Sequence, residues 1–270
     1  MNGTSTCYRH PDRVTGASCT RCGRPICPDC MVQAPVGHHC PDCVKEGNKG
    51  MRRISMQPTG VGLVCKVLVA ANVLVYLVQL ADPTVTSRFA DQPGAVASGQ
   101  YYRMLTAAFL HGSILHIAFN MGALYIFGSQ VERALGAARF LALYLLAAVG
   151  GSVGSLLFAP RNVQSVGASG AIFGLLGAYL VIARRRGMDT GPIVGLVVIE
   201  LLLGAVNPII DNRAHVGGLV SGLAVALGFG WAERFHGPTR TVVQVAVVAA
   251  VGAVIVGLTI TRTGQLNAAL

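Results

Sequence analysis

The sequence predicts an all-α polytopic membrane protein. A core of six transmembrane helices is followed by a seventh C-terminal transmembrane helix and preceded by a small zinc-binding module. Three observations carry this. Apolar residues make up 53% of the 270 positions and charged residues only 12%, a composition that belongs in lipid. Seven apolar runs follow one another between Val61 and Thr261, and the segments between them hold most of the charge. Seven of the eight cysteines lie between Cys7 and Cys43, ahead of the first run. The formal charge of +10 sits mostly in the inter-run loops, so it reads as membrane topology and not as a nucleic-acid surface. No long apolar core occupies the first 60 residues, so no cleavable signal peptide is expected.

Residues 1–43 form the predicted module. The pattern is Cys7-x2-His10-x8-Cys19-x2-Cys22-x4-Cys27-x2-Cys30-x9-Cys40-x2-Cys43, four two-ligand knuckles that suffice for two tetrahedral zinc ions. The short gap between Cys22 and Cys27 favours an interleaved arrangement, with knuckles one and three on one ion and two and four on the other. Sequential pairing is the alternative, and His38 or His39 can replace Cys40. With every position filled by protein, both sites are closed and structural, not catalytic. About 40 residues bury little core, so metal would carry the fold. The segment resembles B-box-type zinc fingers, although its last knuckle lacks their usual histidine pair. The eighth cysteine, Cys65, reads as inert packing.

Residues 44–60 read as a basic linker with Lys45, Lys49, Arg52 and Arg53, on the cytoplasmic side. Thiolate ligands fit that reducing compartment. The first run is Val61 to Ala81, with Lys66 able to snorkel. Asp82 to Ser113 reads as a long outer loop lying partly in the interface, with Tyr101 and Tyr102 at headgroup level. The second run, Ile114 to Val131, carries His116 and Asn120 on one helix face. Such a polar pair faces the bundle interior, for interhelical hydrogen bonding or for function. Glu132, Arg133 and Arg139 form a short cytoplasmic loop. The third run is Phe140 to Pro160, with Gly150, Gly151 and Gly154 for close helix contact.

The fourth run holds Ser169. Counted back from Arg184, a helix beginning there has about 15 residues, or roughly 22 Å, against a hydrocarbon core of about 30 Å. The helix must start below the surface, and the loop before it must dip into protein or a water-filled cavity. A serine at a buried helix N-terminus, between Gly167 and Gly170, is a candidate nucleophile. Glycine, alanine and serine also serve as packing residues in membranes. The fifth run, Gly191 to Ile210, contains Glu200, a functional candidate by its depth but without an assigned role. The sixth, Ala214 to Ala232, places His215, Gly218 and Gly222 on one face, so the glycines bring His215 close to a neighbouring helix. Residues 233–270 comprise a cytoplasmic loop, the seventh helix (Thr241 to Thr261) and a short tail.

Charge and depth test this layout. The segments that follow the even-numbered runs hold Arg133, Arg139, Arg184, Arg185, Arg186, Arg234 and Arg240, in addition to the basic linker, against Arg88, Arg103, Arg161, Arg213 and Arg262 in the segments that follow the odd-numbered runs. The bias predicts a multi-pass cell-membrane protein with a cytoplasmic N-terminus and an extracytoplasmic C-terminus. Measured from the inner charges, Asn120, Ser169, His116 and His215 lie roughly 18, 22, 24 and 27 Å up. Four polar residues from three helices thus share one band near the outer face. In that band His215 can take the Ser169 proton and return it to the leaving amine. No acidic residue is placed to orient His215, which makes a dyad. The Ser169 N–H, the Asn120 amide and a His116 N–H can serve the oxyanion.

His116-x-x-x-Asn120, Gly167-x-Ser169-Gly170 and Ala214-His215-x-x-Gly218-x-x-x-Gly222 resemble the motifs of the rhomboid family of intramembrane serine proteases. Tyr102-Arg103 is similar to that family's aromatic-Arg pair, and Glu132-x-x-x-Gly136 to its motif after the second helix. The resemblance covers residues 61–232. It implies a serine endopeptidase with a six-helix core that cleaves single-pass transmembrane proteins near the outer face, with Ser169 as nucleophile, His215 as base and no catalytic cofactor. Phe173 stands where many members have a tyrosine packed on the histidine, so stacking is expected without the hydroxyl. The zinc module lies outside the common core and either binds a cytosolic protein or stabilises the N-terminus. A silent client-binding member would lack Ser169 or His215. A transporter would show an inverted repeat, and none is convincing here.

Overall fold

The computed structural model describes residues 5–34, 36–47, 62–207 and 209–269. The chain forms two compact units that divide between Pro58 and Thr59. In the first unit, β1 (Ser5–Thr6) pairs antiparallel with β2 (Val14–Thr15), and β3 (Val32–Gln33) with β4 (His38–His39). A 3-10 turn, Pro28–Cys30, lies between the hairpins, and α1 (Pro41–Gly47) closes the unit. Its core is Ile26 surrounded by Cys7, Cys19, Cys27, Cys30, Cys40 and Cys43, all buried. The expected linker from residue 44 is corrected at its start. Val44 to Gly47 continue the helix that carries Cys43. Residues 48–60 of that linker, Lys49, Arg52 and Arg53 included, lie outside the described residues.

The second unit is helical. After α2 (Leu63–Ala81), the connection folds into α3 (Thr84–Phe89), α4 (Pro93–Ala97), α5 (Arg103–Thr106) and a 3-10 turn. Arg103 holds it together from inside: buried, it donates to Gln100 Oε1 at 2.7 Å and to the Ser87 and Ala90 carbonyls at 2.9 Å each. One long apolar segment follows, α6 (Ile114–Ala123), a π-helical turn Leu124–Gly128, and α7 (Ser129–Leu135). Then come α8 (Ala137–Phe158), α9 (Ser169–Arg185), α10 (Gly191–Val206), α11 (Asn212–Ala232) and α12 (Gly237–Ala268). Among the described residues, five helices are long and apolar enough to cross a membrane: α2, the Ile114–Leu135 segment, α8, α11 and α12. α10 is a shorter apolar helix, and α9 is the central one, with eleven of its 17 residues buried.

Several boundaries differ from the sequence reading, and three of the differences have a local reason. α11 begins at Asn212 because Asp211 caps it, its Oδ1 accepting the N–H groups of Arg213 and Ala214 at 3.2 and 3.4 Å. α12 runs well past both ends of its apolar stretch, since hydropathy marks only the part in hydrocarbon. Glu132, expected in a short loop with Arg133 and Arg139, is inside α7 and buried, while Arg139 is in α8. The Glu132 carboxylate accepts the N–H groups of Val64 at 3.1 Å and Cys65 at 2.8 Å, first-turn donors of α2 that have no intrahelical partner. Glu132→Ala should therefore cost about 3 kcal/mol, since two donors lose a charged acceptor. A lowered unfolding midpoint in detergent, with Glu132→Gln intermediate, is the expected result.

Candidate functional site

Ser169 is the first residue of α9 and half-buried. The segment before it is tied to the connection between α2 and α6. Asp91 and Ser165 exchange backbone hydrogen bonds at 3.0 and 2.8 Å, and the Gly167 N–H donates to the Ala107 carbonyl at 2.9 Å. Gly167 has φ +130°, a conformation that requires glycine. A Cβ there would lie 2.8 Å from His116 Cε1 and Nε2 and 3.6 Å from Ser169 Oγ, so the two side chains flank one glycine. Along this loop Asn162, Val163 and Gln164 are exposed, Ser165 to Gly167 half-buried and Ala168 buried.

His116 Nδ1 accepts the Gly112 N–H at 3.3 Å. The ring proton of a neutral imidazole is then on Nε2, the nitrogen that faces Gly167 and Ser169. Asn120, buried one turn below, gives one Nδ2 proton to the His116 carbonyl at 2.8 Å and keeps a second. His215 is buried on α11 and stacks on Phe173 of α9, with ring centroids 4.2 Å apart and planes at 10°. Phe173 is one turn below Ser169. His215 Nδ1 has no protein partner, and Ser169 and His215 form no hydrogen bond in this structure. Asp211 Oδ1 caps α11 and its Oδ2 is buried without a partner, and neither oxygen bonds the His215 ring.

Close glycine contacts set these positions. A Cβ on Gly218 would come within 1.9 Å of the Gly170 carbonyl oxygen, and one on Gly222 within 2.2 Å of that of Gly174. α9 and α11 therefore touch backbone to backbone beneath Ser169 and His215.

Three contributors escaped the sequence reading. Gln79 on α2 pairs its amide with the His111 backbone in both directions, at 3.0 and 3.3 Å, and fixes the entry to α6. The His111 ring is buried edge-on against His116, centroids 5.1 Å apart. Asp91 is buried with neither carboxylate oxygen bonded. It lines, with Ser152, Ser165 and Ser169, a cavity of about 20 Å³, room for one water. Burial pushes its carboxyl up to about 7, and Asp211 acts in the same direction. A carboxyl raised on folding binds its proton more tightly in the folded state, so stability falls as pH rises from the unfolded value near 4 through 7. Asp91→Asn should flatten the pH dependence of the unfolding midpoint across that window.

The Rhomboid domain profile matches residues 98–232, half of the chain. This chain belongs to the rhomboid family. It is 42% identical over 160 residues to the rhomboid protease GluP of Bacillus subtilis, covering 56% of this chain and 31% of that protein. It is 37% identical over 161 residues to RHOMBOID-like protein 4 of Arabidopsis thaliana, covering 55% and 40%. A second Bacillus subtilis protein, YdcA, is 35% identical over 136 residues, 48% of this chain and 68% of that one. The chain thus spans about a third to two fifths of the first two relatives. As a rhomboid with several membrane-spanning helices, it is a multi-pass membrane protein. Glu200 is half-buried on α10 and is not among the residues lining the cavity at Ser169.

The N-terminal unit of this rhomboid has its own candidate centre. Cys7, His10, Cys27 and Cys30 form one group of ligand atoms and Cys19, Cys22, Cys40 and Cys43 a second, all within 4.8 Å of one another in each group. This is the interleaved grouping, and His38 and His39 belong to neither. His10 Nδ1 lies 3.4 Å from the Cys27 and Cys30 sulfurs and 3.8 Å from Cys7, and Cys22 lies 3.7 Å from Cys40. A tetrahedral zinc with bonds of about 2.1–2.3 Å has edges of about 3.5–3.8 Å, so the donor sets fit that ion. Backbone N–H groups of Cys40 and Cys43 point at the sulfurs of Cys19 and Cys40, as thiolate ligands require.

Proposed function

We propose that this rhomboid is an intramembrane serine endopeptidase acting through a Ser169–His215 dyad. The supporting observation is the convergence of Ser169, His116 and the Phe173-stacked His215 at the buried start of α9. In this reading His215 takes the Ser169 proton as Oγ attacks the scissile carbonyl, then gives it to the leaving amine. His215 next activates the water that releases the acyl group. The Ser169 N–H, His116 Nε2–H and the free Asn120 N–H hold the oxyanion, aided by the positive end of α9. Gly167, Gly170, Gly218 and Gly222 keep the backbones close. Substrates are single-pass transmembrane proteins cut near the outer face, where an extended segment exposes its peptide bonds. The N-terminus is cytoplasmic and the C-terminus extracytoplasmic, following the arginine bias.

A fluorophosphonate probe should modify Ser169, as mapped by mass spectrometry, and fail on folded His215→Ala. Equal labelling of that variant would remove His215 from the mechanism.

The N-terminal unit, in the same proposal, holds two structural zinc ions and offers a surface to a cytosolic protein. Elemental analysis should give two zinc per chain and one in Cys27→Ser. Chelation should unfold residues 5–47, since their core beyond the ligands is little more than Ile26, and leave serine labelling in place.

A further inference from the structure

α12 packs on α8 and α11 and leaves a cavity of about 640 Å³ between the three, within the range of ligand pockets. Its walls are apolar, among them Leu157 of α8, Val216 and Val220 of α11, and Val254 and Leu258 of α12. The floor is closed where α8 and α11 touch: a Cβ on Gly154 would meet the Arg213 carbonyl at 2.2 Å, and one on Gly217 the Gly150 carbonyl at 2.3 Å. Nothing described in this chain fills the space. Along α11 it runs from Asn212 to Ala224 and along α12 from Leu258 to Ala250, about 18 and 12 Å at 1.5 Å per residue. Half of a 30 Å hydrocarbon core is about 15 Å. The groove is as deep as one leaflet, and it opens on the side where α9 begins.

Depth and charge select the occupant. A transmembrane helix spans both leaflets, about 30 Å, whereas the groove runs about half of that, the reach of one acyl chain. Charge at the mouth agrees. Arg213 lines it, and Arg262 sits one turn beyond Leu258, its Nε donating to the Leu156 carbonyl at 3.3 Å. Arg262 has no carboxylate partner among the described residues. Arg213 meets the Asp211 carboxylate at 3.9 Å, and that one negative charge offsets one of the two arginines. The mouth therefore carries a net positive charge beside a helix N-terminus.

We propose that this groove is a phospholipid site, with one acyl chain between α8, α11 and α12 and the phosphodiester on Arg213 and Arg262. The site is independent of the peptidase reading.

The test uses the full chain in vesicles of phosphatidylglycerol carrying a diazirine on one acyl chain. Photolabelling should concentrate in residues 212–224 and 250–258, with little on Val198 and Leu202 of α10, which are equally exposed to lipid. Native mass spectrometry should show one retained phosphatidylglycerol. Ala224→Phe with Ala250→Phe fills the groove and should remove that lipid at an unchanged unfolding midpoint. Arg213→Gln with Arg262→Gln should weaken retention about tenfold, as loss of a charge-assisted phosphate contact does. Even labelling over all lipid-facing helices, or crosslinking of a probe at Val254 to a substrate helix in place of lipid, overturns the proposal. Unaltered retention in the arginine variant overturns its headgroup half. Should the filled variant fail to fold, the wild-type labelling pattern decides.

Discussion

Ser169→Ala should lower cleavage of a single-pass reporter in proteoliposomes by at least ~10⁴-fold, with the reporter still bound. The expectation rests on Ser169 Oγ flanking Gly167 together with His116 at the start of α9, one turn from the Phe173 that stacks on His215. His116 and Asn120 can polarise a carbonyl but cannot supply a covalent acceptor equivalent to a deprotonated serine. His215→Ala should give a loss of the same order, and the double variant should be no worse than either single one, because the two groups act as a unit. His116→Ala should behave differently. It removes one oxyanion donor and should lower kcat about 10²–10³-fold with KM nearly unchanged. Retention of more than 1% of the wild-type rate by Ser169→Ala would place the nucleophile elsewhere. A His116→Ala effect confined to KM would deny that ring a role in the transition state.

The helix that carries Ser169 was legible because distance along a helix is a linear function of sequence. Arg184 marks its C-terminal end, and α9 runs from Ser169 to Arg185 as counting back predicts. The expected Phe173 stacking on His215 follows from both facing a glycine-lined helix contact. The residues that hold the site were less visible. The Gln79 and Glu132 side chains act on backbone 32 and 67–68 residues away, and the Asp91 backbone pairs with that of Ser165, 74 residues on. A polar residue in an apolar run or a connection announces that it needs a partner, not which one. Glu132 was read as a loop charge for that reason, although its depth in α7 follows from the α2 donors it satisfies. The connection from Asp82 to Ser113 carried short helices that its mixed composition did not signal, because Arg103 stabilises them through carbonyls and not through periodicity. In the N-terminal unit the interleaving was legible from the Cys22–Cys27 gap, whereas the extension of α1 to Gly47 was not, since a Lys- and Glu-containing turn looks the same in a helix and in a linker.

Gly222→Ala should be as damaging as many changes in the site itself, although it lies two turns below His215 and touches no reacting atom. Its new Cβ would sit 2.2 Å from the Gly174 oxygen and 2.3 Å from Gly174 Cα, both backbone atoms that no rotamer change can move. Ordinary contact requires about 3.5 Å, so α9 and α11 must part by about 1 Å or more. Overpacking of this kind costs about 1–3 kcal/mol, and in a helix pair joined along Gly170–Gly218 and Gly174–Gly222 there is no softer neighbour to absorb it. Ser169 is carried by α9, and His215 by α11. A displacement of about 1 Å between a nucleophile and its base can cost about 10²-fold in rate. The expected result is a fall of that size in kcat, a lowered unfolding midpoint, and fluorophosphonate labelling of Ser169 slowed in proportion. Gly230→Ala is the control on the same helix: the nearest atoms its Cβ would meet belong to the Arg185 side chain, whose flexible far end can turn aside. It should unfold slightly earlier and cleave at the normal rate. If both variants cleave equally well, the glycine contact serves stability alone and the alignment of Ser169 with His215 is set elsewhere.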